Sequence, residues 1–377
     1  GLLSKSNLNS MSTKLKELLN SGITELSPYE PGKPIEDLER ELGLEDIVKI
    51  ASNENPIGPS PLALKKMQDY LEDLHRYPDG NSFNLKRALS EKFNLQEDRL
   101  TIGNGSNDII EFVSRCFLSS SDSAVFSQYA FAIYPLVIQG LGAEGIVSPA
   151  TNWSHDLDKM LSSIKSNTKI IFIANPNNPT GTFLPKKELL DFTSRVPENT
   201  LVFLDQAYFD YSSYEQEDVT FRDIEKYPNL LISRTFSKAY GLAGLRVGFS
   251  YSSLEMADYL NRIRQPFNVN SLAQVAAETA LSDQNHLLKS LELNSREKQI
   301  LYKEFDALGF EYIPSLANFI CFDCKGDADQ LFQLFLKEGI IVRSMRVYGM
   351  TNHLRVTIGT EEENLKFINA LRKLINE

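Results

Sequence analysis

Three short runs decide most of what this chain can fold into: Ile170-Ile171-Phe172-Ile173, Leu201-Val202-Phe203-Leu204 and Leu230-Leu231-Ile232. None alternates with polar residues, so each needs cover on both faces, as strands of a parallel sheet sandwiched between helices have. Between about residues 81 and 266 such runs alternate with helical patterns, which predicts an α/β fold with a mostly parallel central sheet. Each run breaks off into polar residues or glycine. Ligands in open α/β sheets sit beyond the carboxyl ends of the strands, so the residues after these runs are where chemistry is expected.

The rest of the chain divides around that region. Residues 1–10 read as a leader, with Met11 a candidate natural start, and residues 13–20 as a short amphipathic helix, giving a leader segment over 1–22. An arm over 23–54 is grouped with a smaller domain, a large α/β domain covers 55–268, and a smaller α+β domain covers 269–377. Strands are expected there at 319–323, 339–343 and 353–358, with a terminal helix from Glu361.

The net charge of −11 argues against a broad nucleic-acid or anionic-membrane surface and confines any anion site to a local pocket. No apolar run reaches membrane-span length and the start lacks the apolar middle of a signal peptide, so a cytoplasmic setting is expected. Three cysteines are too few for a disulfide framework, and a strand through Cys321 and Cys324 points the two thiols to opposite faces. The four histidines are scattered, and no metal site is expected.

The most informative segment is Arg234-Thr235-Phe236-Ser237-Lys238-Ala239-Tyr240-Gly241-Leu242-Ala243-Gly244-Leu245-Arg246. A lysine after a buried strand, among hydroxyl residues and glycines, is suited to imine formation, because partial burial disfavours its charged form. Alone, Lys238 reads as a solvated loop cation. It is accompanied, however, by Asp205-Gln206-Ala207-Tyr208 after a second strand and by Asn175-Pro176-Asn177-Asn178-Pro179-Thr180-Gly181 after a third. Together these supply what a pyridoxal ring requires: Asp205 to keep the pyridine nitrogen protonated, and Tyr208 and Asn178 to hydrogen-bond the ring oxygen. Separately they read as a helix-capping Asp, a packed Tyr and an Asn-Pro turn.

A fourth element, Gly103-Asn104-Gly105-Ser106-Asn107-Asp108, opens a helical pattern, and a glycine turn there offers free N–H groups to a phosphate. It is not a dinucleotide fingerprint, since Asp108 stands where the third glycine belongs, and no Walker lysine follows. Thr235, Ser237 and Arg246 can complete the phosphate cup, because an arginine fork matches phosphate geometry. Arg343 and Arg355 lie on candidate strands of the smaller domain, where an arginine needs an anionic partner, either a structural ion pair or a ligand.

The NPNNPTG, DxAY and SKxxGLAGLRxG runs, in this order, resemble those of the fold-type-I pyridoxal-phosphate aminotransferases of the aspartate aminotransferase superfamily, and among them most closely the histidinol-phosphate aminotransferase family. The likeness extends from about Ile23 to the end. It implies pyridoxal 5′-phosphate as cofactor, Lys238 as its Schiff-base lysine and proton carrier, Asp205 on the pyridine nitrogen, and Tyr208 and Asn178 on the ring oxygen. It also implies Tyr129 stacked on the ring, and Ser106, Asn107, Thr235, Ser237 and Arg246 on the phosphate. Tyr77 is similar to a tyrosine that reaches the phosphate from a neighbouring subunit, which implies a homodimer with shared active sites. Tyr29, Asn178, Arg343 and Arg355 match the substrate-holding residues.

The implied reaction is transamination between glutamate and histidinol phosphate in histidine biosynthesis. The segment Ser127-Gln128-Tyr129-Ala130-Phe131-Ala132-Ile133-Tyr134 departs from the Thr-Tyr-Gly-Met form of some members and resembles a second subgroup, which keeps an aromatic-amino-acid aminotransferase as the nearest alternative. A phosphothreonine-type decarboxylase shares the same cofactor site. A non-catalytic pyridoxal-phosphate-binding regulator is the alternative from another class, disfavoured by the acidic charge and by the lack of room for a DNA-binding module.

Overall fold

The computed structural model describes residues 14–376, and the leader read at residues 1–10 lies outside them. Residues 14–18 are helical, within the helix expected at 13–20. The strands in chain order are β1 (Val48–Lys49), β2 (Leu100–Gly103), β3 (Ser123–Ser127), β4 (Glu144–Ser148), β5 (Thr168–Ala174), β6 (Leu201–Asp205), β7 (Leu230–Thr235), β8 (Gly248–Tyr251), β9 (Tyr312–Ile313), β10 (Phe319–Asp323), β11 (Ile340–Ile341), β12 (Arg343–Ser344) and β13 (His353–Thr357).

A 7-stranded sheet runs in the order β2-β8-β7-β6-β5-β3-β4. β8 is antiparallel to both its neighbours, and the pairs from β7 to β4 are all parallel. The three apolar runs are β5, β6 and β7, side by side at its centre. Successive residues point to opposite faces, so Ile171, Ile173, Val202, Leu204, Leu230 and Ile232 join one buried cluster while Ile170, Phe172, Phe203 and Leu231 join another. Burial on both faces is what the missing polar alternation required.

A second, antiparallel sheet has the order β12-β13-β10-β9 and encloses its own core around Phe305, Phe322, Phe335 and Phe367. The segment expected as one strand at 339–343 is two short strands broken at Val342: β11 pairs in parallel with β1, while β12 pairs with β13. Helix Ser271–Ser282 sends Ala273, Ala276, Ala277, Ala280 and Leu281 into the core of the large sheet, so the packing places this helix with residues before 269 rather than with the second sheet. Among the described residues no helix is long and apolar enough to cross a membrane, and no cluster of His, Cys, Asp or Glu could hold a metal ion.

Candidate active site

After β3 the chain moves to β4 on one side, while after β5 it moves to β6 and β7 on the other, so the sheet has its topological switch between β3 and β5. A cleft of about 170 Å³ lies there, lined by residues that follow β2, β3, β5, β6 and β7, by the strap 51–53, and by Arg343 and Arg355 from the second sheet. It brings together Tyr29, Ser106, Asn107, Asn178, Asp205, Tyr208, Thr235, Ser237, Lys238, Arg246, Arg343 and Arg355, all singled out from the sequence.

One end of the cleft is an anion cradle. Helix Ser106–Phe117 opens after Gly105 at φ 75°, with no side chain capping its first N–H groups. A Cβ at Gly105 would lie 2.7 Å from Nη2 of Arg246, and one at Gly248 would lie 2.6 Å from the Ser106 nitrogen. The two glycines therefore let the guanidinium and the helix start converge. Thr235 and Ser237, at the end of β7, line the same cleft, and the Thr235 hydroxyl accepts the Ser237 N–H at 3.0 Å.

At the centre, Asp205 closes β6 and is almost fully buried. Its carboxylate accepts the Tyr134 hydroxyl at 2.5 Å and the Ala207 N–H at 3.1 Å, both neutral donors. Burial raises its pKa, with those two hydrogen bonds and the nearby Lys238 opposing. Burial, and then the positive charge of Arg355, pushes the Lys238 amine down to about 8. Its Nζ donates to the Ser52 carbonyl at 3.3 Å and sits 5.6 Å from the centre of the Tyr208 ring. The Tyr208 hydroxyl, pushed up to about 12 by burial, stays protonated at neutral pH, and its oxygen accepts from Nδ2 of Asn53 at 2.9 Å.

The far end holds two arginines. Arg355, in the middle of β13, donates from Nη1 to Oδ1 of Asn178 at 2.6 Å and from Nη2 to the Ala51 carbonyl at 2.8 Å, while its buried Nε has no partner among the described residues. Arg343 donates to the Glu30 carbonyl, and its guanidinium carbon lies 5.7 Å from the centre of the Tyr29 ring. Both arginines thus meet neutral acceptors, and the cleft has four cationic side chains against the single carboxylate of Asp205. A buried charge without a counter-ion is expensive, so this end is built to be neutralised by an anionic ligand.

Two expectations land elsewhere. Tyr129 does not line the cleft: its ring packs 5.0 Å from Trp153, beside Ile313, Cys321, Met345 and Met350, and its carbonyl holds Asn177. Phe131, two residues nearer the helix that begins at Ile133, lines the cleft in its place, while Tyr129 is drawn against the cluster at the second sheet. Tyr77 is also outside the cleft, 81% exposed and stacked on Phe267 at 4.8 Å. Phe131, Tyr134 and Asn53 are lining residues to which no role was assigned from sequence. Tyr134 closes the segment 127–134 without a sequence signal that points to Asp205, and Asn53 has no motif around it to single it out.

The residues fit a phosphorylated pyridine. An uncapped helix start and an arginine form a cradle that a Cβ would fill, and a buried carboxylate with neutral partners stands at the same cleft as a depressed lysine. Fold and cleft together define a fold-type-I transferase that works with pyridoxal 5′-phosphate. The chain belongs to the aminotransferase class I and II family, whose model matches residues 45–371. It is 52% identical to a histidinol-phosphate aminotransferase 2 of Pseudomonas fluorescens, over 97% of this chain and 99% of that protein. It is 48% identical to a histidinol-phosphate aminotransferase 1 of Nitrosococcus oceani, over 96% and 98%. The crystal structure of the histidinol-phosphate aminotransferase of Sinorhizobium meliloti in complex with pyridoxal-5′-phosphate superposes with a TM-score of 0.86 at 26% identity, covering 96% of this chain and 99% of that one.

Proposed function

We propose that this enzyme transfers an amino group between L-glutamate and the keto counterpart of histidinol phosphate, the reaction that serves histidine biosynthesis. The observation that carries this reading is the pair Arg343 and Arg355, held by neutral acceptors at the end of the cleft opposite the phosphate cradle. Glutamate brings a carboxylate to that end; histidinol phosphate, which has none, brings a phosphate, and an arginine fork suits either anion. The curated relatives at about half identity over nearly the whole chain support the same substrate pair over aromatic amino acids.

Pyridoxal 5′-phosphate, when bound, supplies the electron sink for the charge left when the substrate loses its α-proton. Lys238 Nζ, its pKa brought down to about 8 by burial, is suited to take that proton and return it. Asp205 keeps the pyridine nitrogen protonated, and its low-polarity setting with Tyr134 strengthens that pairing. Tyr208 donates to the ring oxygen. Asn178 has its oxygen engaged by Arg355, which leaves its amide hydrogens for the same ring oxygen and links substrate-end occupancy to the cofactor end. Ser106, Asn107, Thr235, Ser237 and Arg246 hold the phosphate, and Phe131 covers the ring where Tyr129 was expected.

The reading includes a homodimer in which Tyr77 of each chain completes the partner's phosphate cup. The Tyr77 ring, 81% exposed and stacked on the exposed ring of Phe267, supports it, since exposed apolar surface of this kind marks association surfaces. It also includes a cytoplasmic setting, and a cofactor-carrying large domain that takes in helix Ser271–Ser282. The test is an absorbance titration of the cofactor-loaded enzyme with L-histidinol phosphate and, in parallel, L-phenylalanine. Conversion of the lysine-bound band at far lower histidinol phosphate than phenylalanine supports the reading; equal or better conversion by phenylalanine makes it an aromatic-amino-acid aminotransferase.

A further inference from the structure

Three consecutive residues of one strap touch three chemical groups of the cleft. The Ala51 carbonyl takes Arg355, the Ser52 carbonyl takes Lys238, and the Asn53 side chain takes Tyr208. The strap itself is held by the second sheet: Ile50 donates to the Ile341 carbonyl, the Thr357 N–H donates to the Ile50 carbonyl, and Asn318 Nδ2 donates to the Asn53 carbonyl. Asn53 adopts φ 58°, a left-handed conformation that asparagine tolerates better than most residues.

The hydrogen bonds around Asn53 have a direction that can be deduced. Its backbone N–H, which can only donate, points to Oγ1 of Thr357 at 2.9 Å, and the same Oγ1 lies 3.0 Å from Oδ1 of Asn53. Thr357 is nearly fully buried, and these are its hydroxyl's two hydrogen bonds among the described residues. Its proton therefore goes to Oδ1. With the amide reversed, the Thr357 proton would be buried without an acceptor, which a buried hydroxyl does not tolerate cheaply. The amide nitrogen is then the atom that faces Tyr208, so the Tyr208 oxygen is an acceptor at that contact. Its own O–H has to point away from Asn53, and Tyr208 lines the cleft.

We infer that Asn53 and Thr357 are positioning residues that fix Tyr208 as a hydrogen-bond donor into the cleft, aimed at the cofactor's ring oxygen. The inference rests on the proposed role of Tyr208 and adds its control: a β13 hydroxyl, two residues beyond Arg355, sets the direction of a proton held by the loop after β6. The arrangement ties the tyrosine's donor state to the seating of the second sheet.

The test is the pH titration of the lysine-bound absorbance band in the cofactor-loaded enzyme. A bond donated to the ring oxygen withdraws charge from it and eases loss of the neighbouring proton, so losing the bond raises the midpoint. Tyr208→Phe is expected to raise it by about one unit or more. Thr357→Val, uncharged and isosteric, releases the amide and is expected to give at least half of that shift, Thr357→Ser to restore the parent midpoint, and Thr357→Val to add nothing in a Tyr208→Phe background. Asn53→Asp, whose carboxylate would draw the tyrosine proton to itself, is the second probe, with a shift that shrinks by half or more once Tyr208 is Phe. A parent midpoint in Thr357→Val, or a shift that persists undiminished without the tyrosine hydroxyl, overturns the inference while leaving the role of Tyr208 intact. No shift in Tyr208→Phe itself overturns that role, and the inference with it.

Discussion

The two ends of the cleft are built on opposite plans. The cofactor end grows out of parallel strands buried on both faces, and its polar groups, Asp205, Tyr208, Thr235 and Ser237, follow immediately on apolar runs that leave them no freedom. The substrate end is assembled from separate pieces: Arg355 from mid-strand β13, Arg343 from the two-residue strand β12, Tyr29 and residues 51–53 from the arm. At the first end charge is tuned by burial before any ligand arrives. At the second, charge is left over for a ligand to neutralise. The lesson is that a rigid floor suits chemistry and a composite wall suits substrates that differ in shape and in the anion they carry.

Changes at the floor should cost turnover, and changes at the wall should cost affinity. The largest effect is expected for Lys238→Ala, which removes the proton carrier: transamination falls by at least about 10³-fold and the lysine-bound absorbance band disappears, as steady-state rates and a spectrum will show. Next is Asp205→Asn, which keeps a group that can accept from Tyr134 but removes the charge that holds the ring-nitrogen proton. A fall in kcat of about 10²-fold with KM changed little is the floor's signature. A rise in KM alone would show that the carboxylate only packs.

Arg355→Lys probes the wall. The charge stays but the planar fork to Asn178 and the Ala51 carbonyl is lost, so KM for glutamate and for histidinol phosphate should both rise by about 10–100-fold with kcat within a few-fold. A kcat that falls in proportion would mean that the link through Asn178 transmits the wall's state to the floor, and the two ends would have to be treated as one unit.

The cofactor-free enzyme offers a pH readout of the floor. Lys238 is depressed from its ordinary value to about 8, so between pH 8 and its unfolded value the unfolded chain binds more protons and stability rises with pH. Its burial penalty is fully imposed below pH 8 and gone above about pH 10.5. Lys238→Met should accordingly be more stable than the parent at pH 7, by on the order of 2 kcal/mol, with the gap closing as pH rises through that window in denaturant titrations.

The same contrast explains what could be read before the fold was known. Strand ends of the floor are contiguous in sequence, so a carboxylate three residues from a tyrosine, or a lysine three from a threonine, announces itself. The wall's parts are separated by some three hundred residues, and apart from the resemblance only charge in an apolar strand pointed to Arg343 and Arg355. Asn53 was invisible because its role depends on Thr357, a pairing made where the Ile50 carbonyl accepts the Thr357 N–H of β13 and not by any local pattern. The single-strand expectation at 339–343 failed for a related reason: Val342 lies between two strands that join different sheets, and hydrophobicity alone does not register such a change.

Tyr129 and Phe131 provide the smallest test and the most local one. Both are aromatic, both follow β3, and they are two residues apart, so the resemblance to known sequences favoured the tyrosine and only packing distinguishes them. Tyr129 spends its ring on Trp153 and its carbonyl on Asn177, whereas Phe131 faces the cleft and meets Tyr134 edge-on at 5.7 Å. An aromatic face against a ligand ring contributes about 0.5–1.5 kcal/mol, so Phe131→Leu should weaken cofactor retention about two- to tenfold with little change in melting temperature. Tyr129→Leu should do the reverse, lowering melting temperature and leaving cofactor affinity near the parent value. If dialysis against a competing amine strips the cofactor faster from the Tyr129 variant than from the Phe131 variant, the turn after β3 rearranges when the cofactor binds, and the floor is less rigid than its strands imply.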